Sequence, residues 1–288
     1  MLTGILLTFA AAACFECSYV LQALELRAVP QMTRASVGGL RGLAVRPVWL
    51  GAIALALAGF GLQVLALRHA PLSLVQPLLA TGLLGLLAFS ATVLGEPVGR
   101  REIGAVAAIV AGVTLIAVAH PQRGSGAPGI AFVLAAAALG IVAVCAFVLR
   151  RPGAAVLLAG AIAADALASL AAAQAARALP AVLQTAGWGA LAAACGVAAV
   201  AAESAVLQRR GAARVAPIVL AGQVALPVAL APLVIGERWD LPVLLVCGLA
   251  LVIAGSALLA ASPGVSRLAL GQGEHEVGGG GQVGDLGA

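Results

Sequence analysis

Long apolar runs alternate with short polar punctuation along nearly the whole chain. Windows at about 2–24, 48–67, 72–94, 103–119, 129–149, 154–175, 188–207, 215–235 and 241–261 are built mainly from Ala, Leu, Val and Gly. A helix needs about 20 such residues to cross roughly 30 Å of hydrocarbon at 1.5 Å per residue. The pattern therefore predicts nine transmembrane spans. Backbone groups facing lipid must find their partners within the segment, so the spans are expected to be α-helices. Segment 31–46 is different, because Arg34, Arg41 and Arg46 accompany Val37, Leu40, Leu43 and Ala44 at helical spacing. Charges at that density do not cross a membrane, and 25–47 reads as a cytoplasmic interfacial segment. The first window has no basic stretch before it, its first positive residue being Arg27 behind it, so it reads as a span and not as a cleaved signal. Residues 263–288, with four consecutive Gly, read as a disordered cytoplasmic tail. In that tail Glu274-His275-Glu276 has no neighbouring ligands and reads as solvated.

Composition excludes most alternatives. Charged residues make up 9% of the chain, against roughly 25% in globular proteins, too few to cover a soluble enzyme or a disordered chain. The net charge of +5 would admit a nucleic-acid partner until the basic residues are placed. With the N-terminus outside and nine spans following, Arg27, Arg34, Arg41, Arg46, Arg100, Arg101, Arg150, Arg151, Arg209, Arg210, Arg214 and Arg267 fall in the cytoplasm. Only Arg68, Arg123, Arg177 and Arg238 fall outside. The basic charge thus records orientation, N-terminus out and C-terminus in, and needs no nucleic acid. All 16 basic residues are Arg, which with the Ala and Gly excess points to a bacterial chain and its cytoplasmic membrane.

The two halves echo each other. Val75-Gln76-Pro77 opens the third span and Gly95-Glu96 closes it, as Val215-Ala216-Pro217 and Gly236-Glu237 do for the eighth. Gln63 and Glu203 stand 140 residues apart (203 less 63) in the second and seventh spans, and Gly112 and Gly255 sit in the helices that follow. Spans two to four then pair with seven to nine, span one with six, and span five stands alone. Span two runs outward and span seven inward, so the repeats are inverted. The halves are expected at 1–120 and 129–262, joined by a linker at 121–128. Inverted repeats can exchange outward-open and inward-open shapes around a midplane site, which points to transport.

The run from His69 to Leu79, ending in Gly95-Glu96 and followed by Ala111-Gly112, resembles the drug/metabolite transporter superfamily (EamA-like proteins). The second copy, Val215 to Glu237 with Ala254-Gly255 after it, is similar to that family's C-terminal half. The resemblance covers about 2–262 and implies an all-α helical bundle that moves small metabolites or drug-like solutes. Members typically have ten spans, whereas nine are counted here, the missing one preceding span one. Nine spans with an Arg-rich loop after the first also resemble the magnesium-transporter (NIPA-like) branch.

Three carboxylates lie inside spans: Glu16, Asp165 and Glu203. A charge at mid-membrane costs about 2.5–3.5 kcal/mol on insertion scales, so each is a candidate for the substrate or proton pathway. Glu16 and Asp165 fall at matching positions of spans one and six. Glu203 stands six residues before Arg209 and could pair there instead. Tyr19, Gln22, Gln63, Ser169, Ser204 and Gln223 are second polar contacts, with hydrogen bonding between helices as the plainer role. No Arg lies in a span, so the expected substrate is cationic or the coupling ion is H⁺. A Mg²⁺ permease is the alternative, with Glu16 and Asp165 as oxygen ligands. A non-transporting membrane scaffold is the remote one. Cys14-Phe15-Glu16-Cys17 has redox spacing but reads as packing inside a span. Glu96 and Glu237 read as charged helix ends, and Pro77, Pro217, Pro227 and Pro232 as bends or helix starts. There is no G-x-x-x-x-G-K-[ST] loop and no His or second Asp in a span for a protease dyad, so neither an enzyme nor a bound cofactor is expected. The expected partners are the bilayer, a small solute and H⁺, in a monomer or homodimer.

Overall fold

In a computed structural model, residues 1–27, 46–82, 84–85, 99–124, 129–149, 152–210 and 212–260 are described. Segment 28–45, the Gly95-Glu96 motif and the tail lie outside them. Among the described residues the chain forms nine α-helices: α1 (Leu2–Arg27), α2 (Pro47–His69), α3 (Leu72–Ala80), α4 (Arg100–Val118), α5 (Ile130–Val148), α6 (Ala154–Ala178), α7 (Val182–Arg210), α8 (Ala212–Val234) and α9 (Pro242–Ala260). Two two-residue strands, β1 (Pro121–Gln122) and β2 (Arg238–Trp239), complete the described elements.

Each helix begins where the sequence punctuates. Pro47 opens α2, where its missing N–H costs nothing, and Gly99, Gly129 and Gly153 are the N-caps of α4, α5 and α6. Glu102 reaches back to accept a hydrogen bond from the Gly99 N–H at 3.0 Å. Pro77 sits inside α3, whose last described turn closes when the Thr81 hydroxyl donates to the Leu78 carbonyl at 2.6 Å.

Among the described residues, six helices are long and apolar enough to cross a membrane: α2, α4, α5, α6, the Val182–Glu203 part of α7, and α9 up to Leu259. Leu2–Ser18 and Ala221–Val234 are shorter apolar stretches, and α3 is described over nine residues. The fold is therefore all-α and multi-pass. Its outer surface agrees, since Ile130, Leu134, Ile141, Val144 and Val148 of α5 are exposed on one face, as suits a helix bordered by lipid.

Helix α6 is the centre of the bundle: 56% of its apolar window is buried, against 17% in α5 and in α7. It packs on α7, α5 and α8, while α1 packs on α2 and α4 on α9. Small residues permit this closeness. The Ser18 hydroxyl of α1 donates to the Ala52 carbonyl of α2 at 2.7 Å, and Gly59 lies against Ala11, Cys14 and Phe15. Helices α4 and α9 are antiparallel and touch through backbone: a Cβ on Gly112 would lie 2.5 Å from the Gly248 oxygen, and one on Gly255 2.7 Å from the Ala105 oxygen. Where α4 ends and α9 begins, β1 pairs antiparallel with β2, Pro121 opposite Trp239 and Gln122 opposite Arg238. The expected 121–128 linker thus starts as a stitch onto the second half.

Candidate functional site

Two polar groupings interrupt the apolar interior. The first runs through the bundle. Gln76 of α3 donates from its side-chain amide to the Ser169 hydroxyl of α6. Asp165 stands four residues earlier on α6, on the same face, and interacts electrostatically with Glu203 of α7. Glu203 accepts a long 3.4 Å hydrogen bond from the Gln223 amide of α8. Four helices therefore supply one string: Gln76, Ser169, Asp165, Glu203 and Gln223. Glu16 lies apart from this string, just past the end of α3, where a Cβ on Gly82 would lie 2.6 Å from its Oε1. That contact fits a carboxylate against a bare backbone only because Gly82 lacks a side chain. Gln63 is buried on α2, and the side chains of Tyr19, Gln22 and Ser204 lie outside the described residues. Among the described residues, no three His, Cys, Asp or Glu side chains gather as a metal site.

The second grouping lies at the end of the bundle that bears β1 and β2, and sequence reasoning missed it. Glu237, read as a charged helix end, is buried, with 5% of its surface exposed. Its carboxylate accepts hydrogen bonds from the Leu72 N–H, the Ser73 N–H at 3.1 Å and the Ser73 hydroxyl. It thereby caps α3 from the far side of the chain. The Trp239 indole N–H donates to the same Ser73 oxygen at 3.1 Å. Arg177 donates to the Ile235 carbonyl at 2.7 Å, and Arg123 donates to the Arg68 carbonyl near the end of α2. Burial pushes the Glu237 carboxyl above its ordinary value; the bonds from Ser73 and Leu72 and the nearby Arg177 pull it back only in part. The residues to find were in plain sight: two of the four Arg that the sequence reading placed outside, Arg123 and Arg177, interact electrostatically with this carboxylate.

No protein-family model, curated protein or solved structure matches the chain.

Proposed function

We propose that the chain is a secondary transporter of the drug/metabolite (EamA-like) type. It has nine spans in two inverted repeats, N-terminus outside, in a bacterial cytoplasmic membrane, and moves a small solute by alternating access. The observation that carries this is the α4–α9 crossing. Adding 143 takes Ala105, Ile109, Gly112 and Ile116 to Gly248, Val252, Gly255 and Leu259. Under that exchange the Gly112–Gly248 contact becomes Gly255–Ala105, and Gly112–Val252 becomes Gly255–Ile109. The Gly248–Ile116 contact likewise becomes Ala105–Leu259, which share one core cluster. A contact set that maps onto itself behaves as an isologous interface. Between antiparallel helices its two-fold axis is perpendicular to them, hence in the membrane plane. That supports repeats of opposite orientation, the architecture that alternating access uses.

The sequence repeat of spans two and three in seven and eight, at its own offset of 140, refines the acids. Gly82 and Gly222 are equivalent at an offset of 140 (222 less 82). Gly82 faces Glu16, whereas Gly222 faces Ile162, one turn before Asp165. Glu16 and Asp165 thus stand a turn apart in register and give the pathway two levels. The electrostatic repulsion between Asp165 and Glu203 favours a proton or a cationic solute near them. In proteoliposomes, a substrate panel with and without a pH gradient tests this: Glu16→Gln and Asp165→Asn should each abolish flux or its pH dependence. Unchanged flux in both variants would sink the proposal. Carboxylate oxygens such as those of Asp165 and Glu203 also suit a hydrated Mg²⁺, and uptake of the metal itself decides between the two cargoes.

A further inference from the structure

We propose that Glu237 is a latch that holds the two halves of the bundle closed at the β1–β2 end. The proposal rests on the two-half reading above, but concerns how that end opens, not what is carried. A helix leaves its first N–H groups unpaired, and a residue just before it normally caps them. Helix α3 has Pro71 at that position, which makes no side-chain cap bond. Its N–H groups at Leu72 and Ser73 are instead satisfied by a carboxylate 165 and 164 residues away, on the α8–α9 turn. The cap therefore exists only while the halves are together.

The surroundings fit a contact made to be broken. Glu237 follows Gly236, whose φ of +67° gives the turn a left-handed bend that glycine adopts without strain. The neighbouring cross-links are also polar: Trp239 to Ser73, and Gln122 to Asp240 at 3.0 Å. When this end parts, water can replace every one of these bonds. The α4–α9 crossing offers no such exchange, because glycine there meets backbone and the side chains of Ile109, Ile116 and Val252. Gly124 packs in the same way on Ile235 and Gly236, so this strip persists as a pivot and the polar contact of Glu237 with α3 is the part suited to open.

The test is thiol accessibility in detergent, in a chain whose five native Cys are replaced. Val234→Cys, buried beside the latch and smaller than the residue it replaces, reports opening; Ile109→Cys in the α4–α9 crossing is the control. Ser73→Ala and Glu237→Gln should each raise maleimide labelling at position 234 by about tenfold or more, the factor for losing a hydrogen bond to a charged group. Labelling at position 109 should stay unchanged. Unchanged labelling at 234, or a parallel rise at both positions, would overturn the latch. Ser73→Ala leaves the carboxylate in place and serves if Glu237→Gln fails to fold. Labelling needs no substrate: opening without flux of any solute keeps the latch and counts against transport, whereas flux with unchanged labelling overturns the latch alone.

Discussion

Replacing Gly112 by Ala tests the closest approach of α4 and α9. The new Cβ would lie 2.5 Å from the Gly248 oxygen and 2.8 Å from both the nitrogen and a methyl of Val252. Carbon and oxygen reach contact at about 3.3 Å, so the helices must separate by roughly 0.8 Å. Two of the three opposing atoms are backbone and cannot rotate away. Overpacking of this kind costs about 1–3 kcal/mol, and the helix propensity gained by losing a glycine returns up to about 1. Gly61, on the open face of α2, has nothing within 4 Å of such a Cβ, so Gly61→Ala keeps the propensity gain without the clash. Gly112→Ala should therefore be less stable than Gly61→Ala by about 1–3 kcal/mol in reversible unfolding from detergent micelles. Gly255→Ala, the two-fold counterpart, should match Gly112→Ala within about 0.5 kcal/mol. If Gly112→Ala proves as harmless as Gly61→Ala, the packing argument is wrong; if the two counterparts diverge widely, the symmetry argument is.

Ser73→Ala should destabilise by about 1–3 kcal/mol, since it removes one bond to Glu237 and strands the Trp239 N–H; thermal unfolding measures this. Glu237 has a folded pKa above its ordinary 4.5, so the folded state holds that proton to higher pH than the unfolded chain does. Its contribution to stability is then greatest below 4.5 and declines as pH rises through the raised value, and Glu237→Gln should flatten that slope in melts run upward from pH 4.5. Gln76→Leu should cost about 0.6–2 kcal/mol, as interhelical hydrogen bonds in membranes do, with unfolding in detergent as the readout. Gly82→Ala displaces only the flexible end of Glu16, so flux should fall while the melting temperature barely moves.

The helices were legible because lipid demands an unbroken apolar run, and each window except that at 72–94 coincides with a described helix over most of its length. What crossed between distant segments was not. Glu237 looks like a solvated helix end until α3 is brought against it, since its partners at Leu72 and Ser73 lie far back in sequence. Glu203 shows the same limit: Arg209 is its nearest basic residue in sequence, yet its described contact is Gln223 on the next helix. Asp165 was legible as an acid inside a span, but its encounter with Glu203 depends on how α6 and α7 rotate against each other. Glu16 was legible as an acid inside an apolar run, but its place against Gly82 was not. Gly112, Gly248 and Gly255 were legible as small residues, but only the folded chain shows them packed on one another's helices.

The most direct measurement is solute-driven proton movement in proteoliposomes with a pH-sensitive dye inside, comparing the wild type with Asp165→Asn. A cationic solute added outside should shift internal pH in the wild type, with the shift lost in Asp165→Asn while protein folding and reconstitution are unchanged. Flux that is complete in Asp165→Asn, or a wild type that moves neither solute nor Mg²⁺, would contradict the account.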